Sequence, residues 1–361
     1  MNIPFFEFRD YPPDILKEEE AALLSAFRSQ HYILGDYKAV FEERYATYLG
    51  SRYCIGVSSG YDALLLALKA TVPQGTEVIL PANTFKAVLL AVLNHQCIPV
   101  LADIDETGNI AINQVEKRIN GHTSAVIGVH THGNPMDGVS VRSLCEEHGI
   151  VFIEDFSQAH GAVFKGQKCG TFGHIGAASM YPTKTLGAKG DAGVVTTDDQ
   201  RLEKLVRALQ DYKVPAKGES AGVNARLDEL QAAVLLVRLK YMDILVEERT
   251  RIASWFDKEI QSLPFLSRAT VLEGATPAWY VYNVFTEKRT ALKKHLASYH
   301  IHTLSHYEYG LDQLWESPGE GGDRYPVSTR FANNCLSLPF FPGMRKDEVD
   351  YVVKVLQGFS V

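Results

Sequence analysis

The sequence predicts an α/β protein: a large domain with a mostly parallel, seven-stranded sheet sandwiched by helices, and a smaller C-terminal α+β domain. Two observations carry that expectation. Continuous apolar runs alternate with amphipathic helical patterns through the first 235 residues, which is how strands buried on both faces and their covering helices read. Beyond residue 240 the elements become few and short, so the chain divides into a large domain over 1–240 and a small one over 241–361.

The first strand run, YCIGVS (53–58), leads into the helical pattern DALLLALKA (62–70). EVILP (77–81) follows, then the helix FKAVLLAVLNH (85–95), the strand IPVLAD (98–103) and the helix INQVEKRI (112–119). AVIGVH (125–130), the helix VRSLCEEHG (141–149) and IVFIED (150–155) continue the alternation, and AASMYP (177–182) and GVVTT (193–197) complete seven strands. A long helical stretch over 227–260 leads into the small domain. There we expect an extended run, WYVYNVFTEK (279–288), a helix over 291–301, a Gly- and Pro-containing loop over 316–326, and a closing helix over 346–359. Right-handed crossovers place ligands at the carboxyl ends of parallel strands. Asp155 ends one such strand and Lys184 follows another.

Charge and composition exclude several classes. With 36 Lys+Arg against 43 Asp+Glu the net charge is -7, and no basic stripe with interleaved aromatics exists, so nucleic acid is not an expected partner. The start, MNIPFFEFRDYPPD, lacks the basic and apolar regions of a signal peptide. The most apolar run, 87–93, is too short to cross a bilayer, so a soluble protein with no membrane partner is expected. Five cysteines stand singly, as in a reducing cytoplasm. His130 and His132 would share a face of an extended strand, but no third ligand is near in sequence and no metal site is expected.

Three segments carry chemistry. In SSGYDALLLAL, Ser59, Gly60, Tyr61 and Asp62 stand where a helix N-terminus could receive an anion, and a plain helix cap explains the same residues. Asp155 needs a cation to stay ionised at the end of a buried strand, whether from a salt bridge or from a ligand. Lys184 lies in MYPTKTLGAKGDAG, where Lys189 is followed by Gly190 and Asp191, which rules out a nucleotide-triphosphate loop. An anion-binding helix end, a buried aspartate and a lysine at a neighbouring strand end are together what pyridoxal 5'-phosphate (PLP) requires.

These segments, with PANTFKAVLLAVL, IEDFSQAHGA, NARLDELQAAVL and LSLPFFPGM, resemble the DegT/StrS group of PLP-dependent nucleotide-sugar aminotransferases, of the aspartate aminotransferase superfamily. The resemblance runs from about residue 30 to the C-terminus. It implies that Lys184 is the Schiff-base lysine, Asp155 the partner of the pyridine nitrogen and Gln158 that of the phenolic oxygen. Gly60, Tyr61, Asp62 and Ser179 match the phosphate site, and Phe85 matches the aromatic on the ring face. Asn224 matches a residue that reaches the phosphate from a second subunit, which implies a homodimer with shared active sites. The sequence departs from the group at His132, where tyrosine is usual, and in the arm before Asn224. The sequence names no arginine as the clamp of the glutamate carboxylate: Arg226 is near Asn224, and a pair with Asp228 or Glu229 is the alternative to that role.

The implied reaction passes an amino group from L-glutamate to a keto group on a nucleotide-linked sugar in deoxyamino-sugar biosynthesis, including that of lipopolysaccharide O-antigen. Tyr181 and His306 are the expected substrate residues. The Tyr-Pro-Thr lead of Lys184 is similar to that of enzymes aminating carbon 3, so the expected substrate is a dTDP-linked 3-keto-6-deoxyhexose. A 4-keto or UDP/GDP-linked sugar is the alternative. Deoxygenating relatives carry histidine in place of the lysine, and Lys184 argues against that class. A regulatory protein on the same fold is the non-enzymatic alternative.

Overall fold

A computed structural model describes residues 1–217, 219–315 and 324–359. The seven expected strand runs all lie in one sheet: β1 Tyr53–Val57, β2 Glu77–Pro81, β3 Ile98–Ala102, β4 Thr123–Val129, β5 Val151–Asp155, β6 Ile175–Ser179 and β7 Gly193–Thr197. Their spatial order is β1-β7-β6-β5-β4-β2-β3. Pairings β2–β3, β2–β4, β4–β5 and β5–β6 are parallel, while β7 runs antiparallel to both β1 and β6.

The strands read as continuous apolar runs because both faces are covered. Successive residues of one strand enter different apolar clusters, as the two-residue period requires. Ile79 and Phe152 pack with the helices Asp36–Leu49, Gly138–Glu147 and Glu229–Lys240. Val78, Leu80 and Ile153 pack on the other face with the helices Gly60–Thr71, Ala87–Asn94 and Gln200–Leu209. Each fully buried Val, Leu or Ile here stabilises the fold by about 1.5–3 kcal/mol.

A separate apolar cluster joins Ile3 to Ile252 and Phe256, to the antiparallel pair Tyr282–Phe285 and Cys335–Leu338, and to the last helix, Lys346–Gln357. The helical stretch expected over 227–260 is two helices, Glu229–Lys240 and Met242–Ile260, broken at Tyr241, whose ψ of 8° leaves the helical region. The run expected over 177–182 ends its strand at Ser179, because Met180 begins the turn toward Lys184. Of the expected loop, residues 316–323 lie outside the described residues, and Pro326 opens a helix to Asn334. Helices Ile15–Arg28 and Asp36–Leu49 precede the first strand.

Candidate active site

The site forms where β1, β5 and β6 point the same way and end together. After β1 the chain turns at Ser58 and Ser59 into the helix Gly60–Thr71. The Ser59 hydroxyl caps that helix, accepting the Asp62 N–H at 3.0 Å, while the Asp62 carboxylate accepts from the hydroxyls of Ser58 (2.6 Å) and Ser59 (2.7 Å). A helix leaves its first N–H groups without intrahelical acceptors, so those of Gly60 and Tyr61 remain for an anion. Only glycine fits at position 60: a Cβ there would lie 2.3 Å from the Ser179 Cβ and 2.6 Å from its Cα. That contact seats the helix end against the end of β6.

Asp155 ends β5 and is 5% exposed. Burial raises its pKa, partly offset by hydrogen bonding from Ser157, whose N–H donates to Oδ1 at 2.9 Å, and by the charge of Lys184. Lys184 follows β6 through a turn in which its own N–H donates to the Tyr181 carbonyl at 2.8 Å. Gly187 closes that loop tightly; a Cβ there would sit 2.4 Å from the Pro182 carbonyl oxygen. The Lys184 Nζ rests 4.1 Å from the centroid of the Tyr280 ring.

Gln158 is held at both ends of its amide. Oε1 accepts the His132 N–H at 2.7 Å and Nε2 donates to the Tyr307 phenol at 3.1 Å, which leaves one Nε2 hydrogen for a ligand. Tyr307 stacks on His132 at 6.5 Å and meets Phe85 at 6.0 Å. The His306 carbonyl accepts from His132 Nε2 (2.6 Å), Asn283 (3.1 Å) and the Cys335 thiol (3.0 Å), and its ring Nδ1 lies 2.8 Å from the Ser337 hydroxyl. Burial pushes His132 down to about 4 and, with His132 and Lys184 beside it, His306 down to about 3, so both rings are neutral near pH 7.

Of the sequence-predicted residues, Gly60, Tyr61, Phe85, Asp155, Gln158, Ser179, Tyr181, Lys184 and His306 line one cavity of about 380 Å³. Asp62 is not in its lining, because its carboxylate turns back to the two serines. Asn224 lies away from it, on an arm where its Oδ1 accepts from Arg226 Nε at 3.1 Å. Arg226 pairs with Asp211 at 2.9 Å, not with Asp228 or Glu229. Glu229 instead accepts the N–H groups of Gly35, Tyr37 and Lys38 at the start of the helix Asp36–Leu49, where the helix dipole favours a carboxylate.

Ser157, Tyr280 and Tyr307 also line the cavity and were not singled out in the sequence. Tyr307 could have been found as the neighbour of His306. Nothing local marks Tyr280, which sits in a run read only as extended. His130 and His132 do not share a ligand position. His130 Nε2 lies 2.8 Å from Glu154, and its Nδ1 accepts the Met136 N–H at 3.0 Å. His130, Glu154 and Cys169 form a buried group with metal-like spacing, but Glu154 is already engaged by the N–H groups of Gly170, Phe172 and Gly173. Among the described residues, no helix is long and apolar enough to cross a membrane.

The model of the DegT/DnrJ/EryC1/StrS aminotransferase family matches residues 13–357. The chain is 36% identical to the dTDP-3-amino-3,6-dideoxy-alpha-D-galactopyranose transaminase of Aneurinibacillus thermoaerophilus, over 99% of each chain. It is 32% identical to a UDP-N-acetyl-3-dehydro-alpha-D-glucosamine 3-aminotransferase of Acidithiobacillus ferrooxidans, covering 98% of this chain and 97% of that one. Among solved structures it is similar to DesV of S. venezuelae in complex with a ketimine intermediate, with a TM-score of 0.93, 34% identity, and coverage of 99% of this chain and 98% of that one.

Proposed function

The chain belongs to the DegT/DnrJ/EryC1/StrS aminotransferase family, and from that premise we propose that it transfers an amino group from L-glutamate to a dTDP-linked 3-keto-6-deoxyhexose. It is a PLP-dependent aminotransferase. The observation that carries the reading is the convergence of Lys184, Asp155, Gln158 and the Gly60–Ser179 contact on one cavity.

The residues present fit the cofactor. A helix end with two open N–H groups, seated against Ser179 by the close approach that Gly60 permits, and a carboxyl whose pKa burial raises are matched to a phosphate and a ring nitrogen. PLP supplies an electron sink for the carbon that gains or loses the amine. Asp155 would hold a proton at the ring nitrogen, and the free Nε2 hydrogen of Gln158 would face a phenolic oxygen. The Gly60 and Tyr61 N–H groups and the Ser179 hydroxyl would bind the phosphate. Phe85, half exposed, would cover a ring face at the mouth. Lys184 would be the amine that anchors the cofactor and would hold and pass a proton at its Nζ.

Tyr181 is exposed at the cavity and His306 presents a neutral ring to it, which suits hydrogen bonding to an uncharged sugar. Carbon 3 is supported by the 36% identical relative, whose name specifies a 3-amino sugar on dTDP. We further propose two domains divided near residue 240, a homodimer in which a second copy supplies Asn224, and a cytoplasmic location. The separate apolar cluster, built from residues beyond 252 together with Ile3 of the N-terminal segment, and the placement of Asn224 outside its own cavity support the first two. Matched dTDP-linked 3-keto and 4-keto sugars, supplied with glutamate while 2-oxoglutarate release is followed, test the substrate. Faster turnover of the 3-keto sugar is expected; faster turnover of the 4-keto sugar overturns the choice of carbon.

A further inference from the structure

Tyr280 has no role in the reading above, yet it makes the closest aromatic contact of the reacting amine. Lys184 Nζ stands 4.1 Å from its ring centroid. The phenol is 3.3 Å from the hydroxyl of Thr183, the residue before Lys184. Its backbone is fixed from two sides: its N–H donates to the His132 carbonyl at 3.1 Å, and its carbonyl accepts from the buried guanidinium of Arg249 at 3.2 Å. Tyr280 is therefore a rigid platform, whereas Lys184 ends a flexible four-carbon stem.

We propose that Tyr280 is the positioning residue of Lys184, holding the amine in the cavity on its ring face whenever that amine is free and charged. This rests on the proposed role of Lys184. An aromatic face attracts an ammonium and is indifferent to a neutral amine, so it favours the charged form. The phenol contributes in the same sense. Burial alone would raise its pKa, and the charge of Lys184, with the Thr183 hydrogen bond and Arg249, brings it below the ordinary value instead. A swinging lysine that left the cavity on release would have to find its way back in each cycle; one parked on a ring does not.

Other groups face the amine as well. Asp155, on the end of β5, feels the charge of Lys184, which lowers its pKa against the effect of burial; His160 and His306 stand nearby and are neutral, with pKa values pushed down to about 4 and about 3 by burial. Tyr307 and Asp191 line the same cavity, and Arg249 lies behind Tyr280. All of these stay in place when only position 280 is changed.

The test uses the full-length protein stripped of cofactor. Lys184 is acetylated with acetic anhydride across a pH series, and its peptide is quantified by mass spectrometry in wild type, Tyr280→Phe and Tyr280→Leu. Only the neutral amine reacts. Leucine removes both ring and phenol, so the midpoint should fall by about one pH unit in Tyr280→Leu and part of the way in Tyr280→Phe, which keeps the ring. In the cofactor-loaded protein, kcat should fall in the same order with the KM for glutamate little changed. A Tyr280→Leu midpoint that superimposes on wild type overturns the proposal, as does a raised KM with kcat intact, which would make Tyr280 a substrate contact. Should Tyr280→Leu fail to fold, Tyr280→Met, which also removes ring and phenol, takes its place, and no fall in its midpoint overturns the proposal. A labelling shift in a protein that never takes up PLP would leave the Tyr280–Lys184 contact standing and sink the functional reading instead.

Discussion

Lys184 is the one amine among the described residues lining the cavity, so no neighbour can replace it. Lys184→Ala should keep its thermal midpoint and lose transamination by at least about a thousandfold; substantial turnover would remove the residue from the mechanism. Asp155 makes a different prediction, on stability. Its pKa is raised in the fold, so the folded protein without cofactor holds the proton more tightly than the unfolded chain does. Stability contributed by that proton is therefore present below the ordinary value of 3.8 and lost as pH rises through the folded pKa. Asp155→Asn removes the ionisation. Without cofactor it should melt about 2 °C above wild type at pH 7, the difference vanishing in acid. Equal midpoints at pH 7 would show that Lys184 already neutralises the carboxylate. The His132 and His306 rings, neutral near pH 7, should contribute no titration to the activity profile between pH 6 and 8; a step there that His306→Gln abolishes would contradict their depressed pKa values.

At the scale of elements, the site depends on how closely a helix end can approach a strand end. Gly60 permits that approach, and nothing else in SSGYDALLLAL announces it, because the partner, Ser179, lies on another strand. Gly60→Ala should push the helix start away from β6, lower stability by about 1–3 kcal/mol, and weaken PLP uptake at least tenfold in an absorbance titration. Unchanged uptake would show that the N–H groups of Gly60 and Tyr61 are not the phosphate ligands. The same scale explains Glu229. Read locally it is a helix-start acid within NARLDEL; in the fold it satisfies three N–H groups of a different helix, Asp36–Leu49. Tyr241 likewise divides a stretch whose composition is helical throughout.

At the scale of the whole molecule, the cavity is closed by residues far apart in the chain: the sheet supplies Asp155 and Ser179, and the region beyond 241 supplies Tyr280, His306 and Tyr307. Asn224 belongs to neither wall. If a second copy delivers it, then mixing a Lys184→Ala protein with an Asn224→Ala protein and reassembling them creates one site with both residues intact. Recovery of activity toward a quarter of wild type is expected if subunits exchange at random, roughly the statistics of a shared C2 site. No recovery in demonstrated heterodimers would assign Asn224 to its own chain.

The sequence by itself determined the seven strands, most of the helices that cover them, and the grouping of Lys184, Asp155 and Gly60 at strand and helix ends; Gln158 came from the family resemblance. These are local properties: apolar periodicity reports burial within a few residues, and chemistry-bearing side chains stand out against it. Only the tertiary structure decided that β7 runs against its neighbours, that His130 and His132 face different partners, and that Arg226 meets Asp211. It alone set Tyr280 beneath Lys184. Each of these is a contact between segments far apart in the chain, fixed by how close-packed elements interlock rather than by any pattern along one of them.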